Sequence, residues 1–89
     1  MSENDKVIID IKAKMRKLRT YEQKLQQQDA DATAKCKELL KAGQRDRAML
    51  ALKKKKFVEA EVTKCAGAQI KLQETIQGIE SAAADLNIA

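Results

Sequence analysis

The sequence predicts an all-α protein, a long antiparallel two-helix hairpin of coiled-coil character. Three observations lead there. Charged residues make up 35% of the 89 residues and aromatics only 2%, with no proline and three glycines. That is the composition of long helices rather than of a large compact core. Apolar residues recur at steps of three and four along most of the chain, which places them on one side of a helix. One interior stretch, Lys41-Ala42-Gly43-Gln44, carries a stop signal, with Gly43 where a helix C-cap would stand.

The first helix is expected from about Glu3 to Lys41. Ser2 with Asp5 three residues on resembles a capping box, Asp standing in for the usual Glu. Its apolar stripe runs through Val7, Ile8, Ile11, Met15, Leu18, Tyr21, Leu25, Ala32, Cys36 and Leu39, and thins from Gln26 to Asp31. A turn of about residues 42–44 follows. The second helix is expected from about Arg45 to Leu86. Val58, Val62, Cys65, Leu72, Ile76, Ile79, Ala83 and Leu86 give it a heptad stripe that Gln69 interrupts and Ala48, Ala51 and Lys55 extend upstream. Such a stripe seeks a partner helix. Gly67 and Gly78 each weaken this helix by about 1 kcal/mol relative to Ala. They are either tolerated or mark a bend or a close helix approach.

A short link between two long amphipathic helices makes an antiparallel pair. Folding about Gly43 pairs residues whose numbers sum to about 87. Leu39 then faces Ala48, Leu25 faces Val62, Leu18 faces Gln69 and Ile11 faces Ile76. The expected core is Ile11, Leu18, Leu25, Leu39, Val58, Val62, Leu72, Ile76 and Ile79, in a single hairpin roughly 60 Å long at about 1.5 Å per residue. In this register Cys36 and Cys65 lie roughly 20 Å apart along the axis, too far for a disulfide. Both read as small core hydrophobes.

The formal charge is +5 and histidine is absent. A basic balance points to an anionic partner. Without histidine, a Gly-rich loop or a paired nucleophile and base, the sequence offers no catalytic, metal or cofactor site, and an enzyme is not expected. No apolar run approaches a membrane span and no signal peptide is visible, so a cytoplasmic location is expected. The basic residues cluster. Nine of eighteen lie between Lys35 and Lys56, and Lys12, Lys14, Arg16, Lys17 and Arg19 form a second group. Lys53 to Lys56 cannot share one helix face. Lys55 falls on the inward stripe opposite Ala32 and is expected to pair with Asp29 or Asp31, or to snorkel past. Lys53, Lys54 and Lys56 point outward, either as a solvated face or as contacts to acidic lipid. The expected lack of outward aromatics argues against stacking on single-stranded nucleic acid, though not against phosphate contacts.

The stretches DKVIIDIKAKMRKLRTYEQKL and ELLKAGQRDRAMLALKKKKFVEAEV resemble the N-terminal helical hairpin of the ESCRT-III family, with its basic first helix, Gly-containing turn and LKKKKF block. Asp5-Lys6, Lys17-Leu18-Arg19, Tyr21 and the turn from Gly43 to Ala48 look most like the subunit type recruited by ESCRT-II. The resemblance implies an endosomal membrane-remodelling protein of multivesicular body formation, peripheral on the membrane. It would bind acidic lipids and assemble with other ESCRT-III subunits, itself included. It makes Lys12, Arg16, Lys17, Arg19, Lys53, Lys54 and Lys56 expected membrane or assembly contacts. Lys6, Ile8, Ile11, Lys12 and Met15 become expected contacts to a winged-helix subunit of ESCRT-II. That subunit type begins Met-Gly and is myristoylated, whereas Ser2 stands here. Relatives of this kind are about twice as long, so the chain reads as an N-terminal core fragment. Two other readings need only charge and shape: a basic hairpin that binds structured RNA, and a dimerisation hairpin with a solvated surface.

Overall fold

The computed structural model describes residues 2–88, with side chains through residue 85. Two helices account for it, α1 from Glu3–Lys41 and α2 from Arg45–Ile88. They lie antiparallel in a rod measuring 70 × 18 × 12 Å. The expected all-α hairpin is the observed fold.

Local chemistry sets the ends. The Ser2 hydroxyl accepts from the Asp5 amide at 3.1 Å, and the Asp5 carboxylate accepts from the Ser2 amide at 3.4 Å. This reciprocal pair satisfies two of the donors a helix start leaves open. At the other end of α1 the Gly43 amide donates to Leu40 and the Gln44 amide to Leu39, a Schellman closure. It needs a left-handed residue, and Gly43 supplies φ of +74°, a region where a Cβ would be strained.

The core is one seam. On α1 the inward positions are Ile8, Ile11, Met15, Leu18, Glu22, Leu25, Asp29, Ala32, Cys36 and Leu39, in alternating steps of three and four. Ile11, Met15 and Ile76 form one buried cluster with Ile8, Leu72 and Ile79 packed against it. Leu25, Val58 and Cys65 form a second, flanked by Leu18 and Val62. Toward the turn the buried side chains shrink to Ala32, Leu39 and Ala48.

The polar seam positions answer one another. Gln69 Nε2 donates to Glu22 at 3.1 Å, and Lys55 Nζ reaches Asp29 at 2.7 Å. Both pairs are half-buried and bridge the two helices, so they favour the observed alignment. Tyr21 does not belong to the stripe. It is 47% exposed, and Glu22 takes the seam position because it lies four residues after Leu18 and three before Leu25. Val7 is likewise 43% exposed. Both thiols are free, Cys65 buried and Cys36 half-buried. Each lies against a backbone carbonyl of the opposite helix, Leu18 and Ala48 respectively.

Gly67 and Gly78 face open space, and a Cβ at either would meet nothing within 4 Å. No helix approaches them within the chain. Gly78→Ala should therefore raise stability by about 0.5–1 kcal/mol through better helix propensity. Urea unfolding followed by circular dichroism reads this as a higher midpoint; a lower one would mean that a side chain at this position disturbs the hairpin.

Candidate membrane and partner surface

The helices carry their cations outward. Lys12, Arg16, Lys17, Arg19, Lys53, Lys54 and Lys56 are all exposed, as is Lys6. Among the described residues, only Lys55 and Lys64 make ion pairs with carboxylates. The other described lysines and arginines have no carboxylate within ion-pair distance.

The structure does not gather the expected contacts into one patch. Lys12, Arg16 and Arg19 line one shallow groove with Met15 and Gln73. Arg16 and Lys17 border the outer ridge of α1 with Ala13 and Thr20. Lys54 lines a different groove nearer the turn, with Lys35, Arg47 and Asp31 around a floor of Leu39, Leu50 and Ala51. Lys54 and Lys56 stand about 200° apart around α2. The cations thus surround the rod.

Charge is also segregated along its length. The turn half, Lys35 to Lys56, holds nine cations and only two carboxylates, Glu38 and Asp46. The open end, residues 2–10 with 74–85, holds six carboxylates and one lysine. The described hairpin is positive at the turn and negative at the end formed by residues 2–10 and 74–85.

Lys55 is the inward member of the lysine run. Its Nζ lies 2.7 Å from both Asp29 and Glu59, and its side chain is 26% exposed. Hydrogen bonding to Asp29, then to Glu59, holds its proton above the usual lysine value of 10.5. A raised lysine stabilises the fold fully below its unfolded value and loses that contribution as pH climbs through the folded one. The stability difference between the protein and Lys55→Met should therefore stay level from pH 7 to about 10 and turn against the protein only beyond the usual lysine range. A difference that moved between pH 7 and 9 would place another group at this site.

Ile11 and Met15, expected on the inward stripe and also as partner contacts, are 8% and 6% exposed beneath Ile76, and Met15 also lines the groove of Lys12, Arg16 and Arg19. Ile8 is half-buried beside them. Val7 and Ile9, 43% and 48% exposed, are further apolar side chains at that end of α1. The run Val7-Ile8-Ile9 signals this, since three consecutive helical residues cannot all face inward. One expectation needs correction, and it concerns aromatics. Both Tyr21 and Phe57 are exposed, Phe57 at 67%, so a lack of outward aromatics cannot be held against nucleic acid.

The described residues form a long, thin, basic helical hairpin. The sequence model of the Snf7 family matches residues 6–89. The chain belongs to the Snf7 family, the ESCRT-III family. It is 34% identical to human charged multivesicular body protein 6 over 80 residues, which is 90% of this chain and 40% of that protein. It is 32% identical to the mouse protein of that name over the same shares. The zebrafish protein is 28% identical over 88 residues, 99% of this chain and 43% of the relative. The chain thus spans about two-fifths of the length of these curated relatives. No solved structure matches it.

Proposed function

We propose that this chain is the hairpin of an ESCRT-III subunit that remodels membranes in endosomal sorting and multivesicular body formation. It binds acidic bilayers through its cations, assembles with other ESCRT-III subunits, and is recruited by ESCRT-II through the Lys6 end of α1. The name that its relatives carry and its membership of the Snf7 family support the sorting role. The observation that carries the lipid contact is the set of exposed cations with no carboxylate partner. Cations near an anionic leaflet contribute about 1 kcal/mol each, in a salt-sensitive way. No helix among the described residues is long and apolar enough to cross a membrane, so binding would be peripheral.

Flotation with phosphatidylserine vesicles at low salt tests this. The chain should rise with the vesicles, and less so as salt increases. Reversing Arg16, Lys17 and Arg19 to Glu should weaken flotation. Failure to float at low salt would end the lipid reading, and a tRNA gel shift at matched salt would then favour structured RNA.

A further inference from the structure

The proposed lipid contact leaves open which face lies against the bilayer, because the cations surround the rod. Two exposed apolar side chains mark one side. Among the described residues Phe57 and Leu50 are the two most exposed large hydrophobics, at 67% and 65%. They are seven residues apart on α2, so they project within about 20° of each other. Leu50 borders the groove that Lys35, Arg47 and Lys54 line against the single carboxylate Asp31. Lys53 and Lys54 lie in sequence between the two apolar residues.

We infer that this face is the membrane-seated one, with Leu50 and Phe57 entering the acyl boundary while the surrounding cations hold anionic headgroups. Large apolar side chains among lysines are the pattern of helices that lie in a bilayer interface, and lysine stems let the charge stay at headgroup level. A symmetric pairing of two copies through this face would set its cations against the same cations. The inference rests on the lipid-binding reading and adds the face and the inserted side chains.

The chain has no tryptophan, so a single one reports its own surroundings. Phe57→Trp is the probe. Ile70→Trp is the control, since Ile70 is 59% exposed but stands about 140° around the helix. With anionic vesicles, Phe57→Trp emission should move to shorter wavelength and be quenched by brominated lipid, while Ile70→Trp stays unshifted. The variant carrying Leu50→Ser and Phe57→Ser should bind the same vesicles roughly tenfold more weakly, with unchanged helical circular dichroism. If the chain floats but Phe57→Trp stays unshifted, the inference falls and the lipid reading stands. If the chain does not float, both fall. A Phe57→Trp shift that grows with protein concentration in the absence of vesicles would assign the face to a second copy and overturn the inference.

Discussion

Leu25→Ala should destabilise the hairpin by about 2–5 kcal/mol, the usual range for deleting a buried leucine in a site that cannot collapse. Leu25 is 4% exposed and packs with Val58 and Cys65. On α1 the next inward positions toward the turn are Asp29, Ala32 and Cys36. None of these three is a large apolar side chain, and Leu18 and Val62 pack against the cluster only from its other sides. A small domain holds only about 5–15 kcal/mol in total, so the loss should consume much of the margin. The thermal midpoint should drop by on the order of 10 °C or more. Leu50→Ala is the matched control. Leu50 is 65% exposed, and its removal should change stability by less than about 0.5 kcal/mol. Equal effects at the two positions would mean that α1 and α2 are not packed along this seam.

Replacing Lys53 and Lys54 with Gln should weaken binding to anionic vesicles by roughly thirtyfold. Both are exposed, neither has a carboxylate partner, and both flank the face of Leu50 and Phe57, whereas Lys56 stands about 100° around the helix from Phe57. At about 1 kcal/mol for each cation near an acidic leaflet, two neutralised charges remove about 2 kcal/mol, or about one and a half decades of affinity. Glutamine is a good helix former, so helicity and melting should hardly change. The difference should shrink as salt rises and the Debye length falls below about 10 Å. Unchanged affinity at low salt, with the fold intact, would show the lysine run to be a solvated face.

Much of the hairpin was legible in the sequence because its determinants are local. Ser2 and Asp5 announce the start of α1, and Gly43 announces the reversal. The two stripes then fix the alignment, and Lys55 finds Asp29 because few other inward positions are charged. Glu22 was not legible. Tyr21 and Glu22 are adjacent, and a step of three or of four from Leu18 is equally helical. The helix period of 3.6 residues and the seam period of 3.5 differ too little to choose between them locally. Only the partner helix decides, through Gln69. Ile11 and Met15 take the stripe role that their spacing predicts, packed beneath Ile76. The division of the cations into separate grooves was hidden for a similar reason. Which side of a helix is a groove and which a ridge depends on where its partner lies, and a one-dimensional pattern does not carry that.

The lengthwise separation of charge has one more consequence. A body 70 Å long with opposite signs at its two extremities behaves as a compass needle in the field of an acidic surface. The field draws the turn inward and pushes the chain ends away, so the rod rotates before it lands. Random first collisions give way to a preferred angle of arrival, and dissolved ions that thin the field blunt this alignment.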